Sequence, residues 1–274
     1  MIEIQAYKMD GLGNDFIIID RRKDKIDLSK QQIINIADRK KGPGCDQIII
    51  IDKDKEKKTN AKITFYNSDG GETGACGNGS RCISYFLMSE KKLNKSKINT
   101  ESGILKAKLV GKTEVSVDMG IPNFDWKKIP LVKKMNNTNV KIKTKHFGIL
   151  HGYTLSVGNP HIIFFKDITF ELLKKIGPQI EHHEFFPERS NVTFAKIMNK
   201  QNIAVKVWER GAGLTLACGT AACATAVAAS KLGLTGKKVN IHFKNGTLHI
   251  EWAKDKHIIM TGSVSNIKNI SLKI

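Results

Sequence analysis

Gly74-Ala75-Cys76-Gly77-Asn78-Gly79-Ser80-Arg81-Cys82 runs into a helix-like apolar stretch, and Ala217-Cys218-Gly219-Thr220-Ala221-Ala222-Cys223 runs into another. In both, a cysteine is followed by small residues that let backbone N–H groups crowd around an anion at a helix N-terminus, where the dipole is positive. The same field lowers the pKa of a cysteine at the end of such a loop. Two of them suggest a pair of acid/base groups serving one anionic substrate.

The two loops have matching surroundings. Asn14 precedes Cys76 by 62 positions, and Asn159 precedes Cys218 by 59. In the first half, strands over 2–8 and 15–20 flank a Gly11-Leu12-Gly13-Asn14 turn. Its Gly-x-Gly lacks the third glycine and the later acidic residue of a dinucleotide fingerprint, so it reads as a loop that carries Asn14 into the site. Ser29 caps a helix running to about Lys40, with Ile33, Ile34, Ile36 and Ala37 inward and Gly42 ending it. Strands 48–52 and 61–66 follow, with Gln47 and Asn67 at their ends. A helix over 77–92 with Ile83, Phe86 and Leu87 on its core face precedes a hairpin over 103–119 about Gly111-Lys112.

The stretch 121–138, with Pro122 and Pro130, reads as a connector, after which the pattern begins again. Strands within 141–157 lead to Gly158-Asn159-Pro160-His161 and the apolar Ile162–Phe165. A helix near 169–183, a strand opening at Asn191 and another over 202–208 precede Glu209-Arg210-Gly211. The alanine-rich helix 221–232, ended by Gly233, has so little polar surface that it must be buried. Asn245-Gly246 joins strands 238–244 and 247–253, and a last strand covers 257–264. The reading is α+β, with two similar domains, 1–120 and 121–264, built by duplication around a site between them.

At 274 residues the chain suits one large domain or two ordinary ones. Its apolar runs have strand length and none approaches a membrane span. No signal peptide is visible at the N-terminus, which leads us to expect a cytoplasmic protein without a membrane partner. The net charge of +19 comes from 45 basic residues of which only six are arginine. Lysine spread along the chain beside abundant isoleucine and asparagine reads as compositional bias on a solvated surface, and no nucleic-acid motif accompanies it. Five cysteines in a chain of this kind read as thiols. Cys76/Cys82 and Cys218/Cys223 do not have zinc-ligand spacing, so no metal is expected.

Taken together, Lys8-Met9-x-Gly11-x-Gly13-Asn14-Asp15-Phe16, Asp46-Gln47, Cys76-Gly77-Asn78-Gly79-x-Arg81-Cys82, Gly158-Asn159-Pro160-His161, Arg189-x-Asn191-Val192 and Glu209-Arg210-Gly211-x-Gly213-x-Thr215-x-Ala217-Cys218-Gly219-Thr220 resemble the diaminopimelate epimerase family over nearly the whole chain. The resemblance implies two pseudo-symmetric domains, each a mostly antiparallel sheet wrapped around a central helix, with residues 265–274 returning to the first. It also implies a homodimer that interconverts L,L- and meso-diaminopimelate without pyridoxal phosphate or any other cofactor, for lysine and peptidoglycan precursor synthesis. Three positions depart from the family pattern: Cys45 where alanine is usual, Gly74-Ala75 where glutamate-methionine is common, and Ala221 where glycine is usual, beside the anion site.

Inverting an α-carbon requires removing a weakly acidic C–H and returning a proton to the opposite face, which suits two groups rather than one. Cys76 and Cys218 fill that role, one as thiolate and one as thiol. In the family the second cysteine accepts and the first donates in the L,L-to-meso direction. Backbone amides of Gly77, Asn78, Gly219 and Thr220 are the candidate donors to the charge developing towards the α-carboxylate. By resemblance, His161 and Glu209 tune the cysteines, and Asn14, Gln47, Asn67, Asn159, Asn191, Glu209 and Arg210 bind the substrate. Arg210 suits a bidentate hold on the distal carboxylate. Cys45, Cys82 and Cys223 read as inert core thiols, and His182 and His183 as surface residues. The rival readings are a proline racemase or hydroxyproline epimerase of the same fold, which the Glu209-Arg210 pair disfavours, and a basic nucleic-acid-binding protein.

Overall fold

The computed structural model describes residues 3–24, 26–74 and 76–273. Met1, Ile2, Lys25, Ala75 and Ile274 lie outside the described residues, and with them the extreme ends of segments 1–120 and 265–274 and the Ala75 departure. The chain divides into two compact units, Met1–Asp118 with Thr261–Ile274, and Met119–Met260.

In the first unit, β1 (Glu3–Gly11) and β2 (Asn14–Asp20) form a hairpin on Leu12 and Gly13, with φ of 60° and 81°. Two successive positive φ values make the two-residue turn that matches strand twist, and it sets Asn14 at the first position of β2. Helix α1 (Lys30–Ala37) crosses over to β3 (Gln47–Asp52), which runs parallel to β2. Phe16–Ile19 and Ile48–Ile51 are all buried, because this parallel pair is covered on both faces and so reads as unbroken apolar runs. Each such side chain is worth about 1.5–3 kcal/mol when buried. β4 (Ala61–Asn67) and the short β5 (Glu72–Thr73) follow antiparallel. Helix α2 (Gly77–Lys91) then leads to β6 (Lys95–Thr100), parallel to β4, and β7 (Gly103–Leu109) and β8 (Glu114–Asp118) follow antiparallel. Helix α2 packs against β1, β2, β6, β7 and β8. α1 sits in another cluster, with Ile33, Ile36 and Ala37 against Ile17, Ile19, Ile48 and Ile50.

The second unit repeats this order. β9 (Val140–Thr144) and β10 (Gly148–Ser156) pair antiparallel, and β11 (Pro160–Phe164) follows β10. Helix α3 (Phe170–Glu181) crosses to β12 (Asn191–Asn199), parallel to β11. β13 (Asn202–Glu209) and the short β14 (Gly213–Thr215) are antiparallel to it in turn. Helix α4 (Gly219–Lys231) leads to β15 (Lys238–Phe243), parallel to β13, then to β16 (Gly246–Trp252) and to β17 (Ile258–Ser263), whose last three residues belong to the first unit. Helix α4 is buried without a break from Gly219 to Ala229 and packs on β10, β11, β12, β15 and β16. Gly233 (φ 69°) ends it in a Schellman arrangement, with Leu234 N donating to Ala229 O at 2.9 Å. The final strand β18 (Lys268–Lys273) pairs with β1 and adds Leu272 to the first unit's core. It flanks β1 as β9 flanks β10.

The architecture is α+β, a mixed sheet around a buried helix in each unit. Its parallel pairs, each bridged by a helix, are more than the strand pattern alone suggested. Three local expectations are corrected. Helix α1 stops at Ala37 rather than near Lys40, because Asp38 turns extended and its carboxylate accepts from Lys40 N (2.7 Å) and Lys41 N (3.2 Å). That local bond competes with another helical turn. Gly44 N and Cys45 N then take the carbonyls of Ile36 and Ala37. The stretch 121–138 is not a bare connector, since Ile129 and Leu131 lie in the second unit's core with Leu173, Ile176 and Ile180. The β15–β16 turn is Lys244-Asn245, with Gly246 already paired to Phe243.

Candidate active site

Cys76 occupies the N-cap of α2 in an extended conformation (φ −137°, ψ 111°), and Gly79 N donates to its Sγ at 3.3 Å. Asn14 Oδ1 lies 3.8 Å from the same sulfur. The orientation of that amide is fixed from behind, because Asn14 Nδ2 donates to Asp46 Oδ2 at 2.8 Å. Asp46 also accepts from Asp15 N and from Arg39 Nη2, at 3.1 and 2.8 Å. Burial acts to raise the Asp15 carboxyl, but its hydrogen bonds from Arg39 and Lys8 outweigh this and hold it below its usual value.

Gln47 and Asn67 are opposite one another on β3 and β4, and Gln47 Nε2 donates to Asn67 Oδ1 at 2.8 Å. Gln47 Oε1 is buried with no hydrogen-bond partner among the described residues, which suits an acceptor for an incoming donor. Gly77 and Asn78 form the first turn of α2, where backbone N–H groups lack helical acceptors. The Asn78 side chain accepts from Arg81 Nη2 at 3.0 Å, deep inside the unit. Gly79 lets α2 approach the sheet: a Cβ there would lie 2.8 Å from Phe65 Cε1.

The second unit repeats the cap. Cys218 is the N-cap of α4, with φ −138° and ψ 114°. Its Sγ lies 3.4 Å from Thr220 Oγ1, which accepts from Asn159 Nδ2 at 3.3 Å, while Asn159 Oδ1 meets His161 Nε2 at 2.8 Å. Full burial, helped by the nearby Arg210 cation, lowers the His161 pKa to about 3, so its imidazole is neutral. Burial first, and then the charge of Glu209 beside it, push the Cys218 thiol well above its ordinary value.

Asn191 opens β12 directly opposite His161 in the parallel register. Its Nδ2 donates to Pro160 O at 2.9 Å, and its Oδ1 accepts from Arg210 N at 3.0 Å. The exposed Arg210 reaches Glu188 O with Nη1 at 3.1 Å. Glu209 and Arg210 are thus carried on the β13–β14 turn, close to Asn191 and the Asn159–His161 pair.

The first unit therefore gathers Asn14, Cys76, Gly77 and Asn78, with the Gln47–Asn67 pair on the neighbouring strand ends. The second gathers Asn159, His161, Cys218, Gly219, Thr220 and Glu209, with Asn191 bonded to Arg210. Two residues escaped the sequence reading. Asp46, quoted only as part of a motif, orients Asn14. Glu181, at the end of α3 and 3% exposed, accepts from Trp208 Nε1 at 2.7 Å and from Gly211 N at 2.9 Å, and so holds the turn that carries Glu209 and Arg210. Glu181 falls on the stripe Leu173, Ile176, Gly177, Ile180. A carboxylate on an apolar helix face was the signal available.

None of the five cysteines is in a disulfide. Cys45, Cys82 and Cys223 are buried, and burial raises the Cys45 thiol to about 12. Ala221 is likewise fully buried. His183 is half-buried against Phe185 rather than on the surface (ring centroids 4.5 Å apart). Among the described residues no group of three or more His, Cys, Asp or Glu side chains is placed to hold a metal ion, and no helix is long and apolar enough to cross a membrane.

The chain has similar proteins both in fold and in sequence. The chain is similar in fold to a phenazine biosynthesis protein of the PhzF family from Bacillus anthracis, with a TM-score of 0.70, 14% identity and both chains covered in full. It is also similar to a hydroxyproline epimerase from Agrobacterium vitis, with a TM-score of 0.66 and 13% identity over 98% of this chain and 93% of the other. In sequence it is 50% identical over the whole of both chains to a diaminopimelate epimerase of Pelagibacter ubique (strain HTCC1062). A diaminopimelate epimerase of Caulobacter vibrioides (strain NA1000 / CB15N) is 44% identical over 94% of this chain and 93% of its own. The profile of the family described as Diaminopimelate epimerase matches residues 6–124 and 153–267, and so takes in both cysteine caps. With that match and half of its residues shared end to end with a relative, the chain belongs to the diaminopimelate epimerase family of isomerases.

Proposed function

We propose that the protein inverts one α-carbon of diaminopimelate, interconverting the L,L and meso forms, with Cys76 and Cys218 as its two acid/base groups and no cofactor. The observation that carries this reading is the pair of cysteine N-caps, whose backbone angles agree within 3° at the heads of two buried helices. In the L,L-to-meso direction, Cys218 as thiolate takes the α-proton from one face. The electron pair left on carbon delocalises towards the α-carboxylate, and the Cys76 thiol returns its proton to the opposite face. The turnover ends with Cys218 as thiol and Cys76 as thiolate, and the reverse reaction exchanges the roles.

The supporting groups fit these steps. An acceptor, Asn14 Oδ1, near Cys76 suits a sulfur that starts as a thiol. First-turn amides of Gly77, Asn78, Gly219 and Thr220 suit the charge developing at the carboxylate. Arg210 suits the distal carboxylate and Glu209 an ammonium, while Gln47, Asn67, Asn159 and Asn191 complete the polar lining. The product would serve lysine and peptidoglycan precursor synthesis in the cytoplasm.

The test is to offer L,L-diaminopimelate and L-proline separately to reduced, cofactor-free protein in D2O and follow the α-hydrogens by NMR. Loss of α-hydrogen from diaminopimelate alone, with meso product, is expected. Exchange into proline, or into neither compound, would overturn the assignment.

A further inference from the structure

Thr220 lies between the candidate base and the buried histidine. Cys218 Sγ, Thr220 Oγ1, the Asn159 amide and His161 Nε2 form one chain of contacts, at 3.4, 3.3 and 2.8 Å. Each contact constrains the next. An amide oxygen only accepts, so His161 Nε2 carries the imidazole proton. An amide NH2 only donates, so Thr220 Oγ1 receives from Asn159, and its one hydroxyl proton is left for Cys218 Sγ. Turning the amide over would move the imidazole proton to Nδ1, which is buried and has no hydrogen-bond partner among the described residues. As arranged, that nitrogen buries only a lone pair, and an orphaned buried N–H is the rarer case.

We infer that the Thr220 hydroxyl is a catalytic hydrogen-bond donor to the Cys218 sulfur, aimed by Asn159 and, through it, by His161 as positioning residues. The inference rests on the reading of Cys218 as an acid/base thiol. A thiolate accepts a hydrogen bond more strongly than a thiol does. The Thr220 bond therefore favours the ionised sulfur and opposes the burial and the Glu209 charge that disfavour it. Thr220 then acts through its side chain as well as its backbone N–H. His161, held neutral, acts through the direction of two hydrogen bonds rather than through charge.

The test needs no substrate, so its result is separate from whether diaminopimelate turns over. The intact protein is labelled with 13Cβ-cysteine, and the Cys218 signal is followed against pH in the wild type, Thr220→Val and Thr220→Ser. Valine keeps the shape and removes the hydroxyl; serine restores it. The expected result is a Thr220→Val midpoint about one pH unit higher, a tenfold smaller thiolate fraction at a fixed pH below it, with Thr220→Ser close to the wild type. If Thr220→Val does not fold, Asn159→Leu is read in its place, with a shift in the same direction. Superimposed wild-type and Thr220→Val curves would overturn the inference. So would a Thr220→Ser curve displaced as far as that of Thr220→Val, which would point to lost packing. A Cys218 that stays a thiol to the alkaline limit of the fold would overturn it too.

Discussion

His161 links the site to the stability of the fold. Its folded pKa, about 3, lies below the ordinary histidine value of 6.5, so below that ordinary value the unfolded chain binds a proton that the native state refuses. Stability contributed by the neutral form is therefore present above 6.5, is lost as pH falls, and levels off near 3. Between pH 7 and pH 5 the wild type should lose about 2 kcal/mol more than His161→Gln; urea unfolding at the two pH values measures it, and equal losses would refute it. Cys76→Ala and Cys218→Ala should each cut epimerisation by roughly 10²–10⁴-fold, the range for losing a positioned acid or base. Initial rates check this, and a variant that keeps near-wild-type turnover would remove that cysteine from the chemistry. The cysteines and asparagines were legible in the sequence because they stand inside dense motifs. Asp46 and Glu181 were harder to read, since a carboxylate that only aims another group carries no spacing of its own and is recognised by what it touches.

At the scale of elements, the first cysteine loop depends on how closely its helix approaches the sheet. Gly79→Ala would place a Cβ 2.8 Å from Phe65 Cε1, and the ring must move within a packed core. A loss of about 1–3 kcal/mol is expected, measured by denaturant unfolding; an unchanged midpoint would mean that the N-terminus of α2 can shift freely. Glu181→Gln leaves one oxygen to serve two donors, Trp208 Nε1 and Gly211 N. A loss of about 1–3 kcal/mol is expected, together with a raised KM, because the released turn carries Arg210. Unchanged values of both would remove the clamp. Strand β6 went unread for a physical reason. Its inward residues are Ser96, Ile98 and Thr100, alternating with Lys95, Lys97 and Asn99, so burial there follows a pattern that hydropathy does not mark. Helix α4 was the opposite case, since its uniform small apolar surface has no plausible place but the interior.

At the scale of the whole molecule, the repeat seen as two asparagine-to-cysteine intervals corresponds to two units with one strand order, differing in how the outer strand is supplied. The second unit takes β9 from the adjacent sequence, while the first takes β18 from the chain's far end. Removing residues 265–274 should expose the edge of β1 and strip hydrogen-exchange protection from β1 and β2. β12 and β13 should keep theirs; equal loss in both units would contradict this. Net charge was the least informative large-scale feature, since lysine on a solvated surface leaves the fold unchanged.

The most direct test of two-base transfer is the isotope content of the first meso-diaminopimelate formed from L,L-diaminopimelate in D2O. Transfer between two cysteines predicts deuterium at the inverted carbon of nearly every early product molecule, while unreacted L,L substrate keeps its hydrogen. Early meso product that retains the original hydrogen would mean that one group carried the same proton across, and would contradict the roles assigned to Cys76 and Cys218.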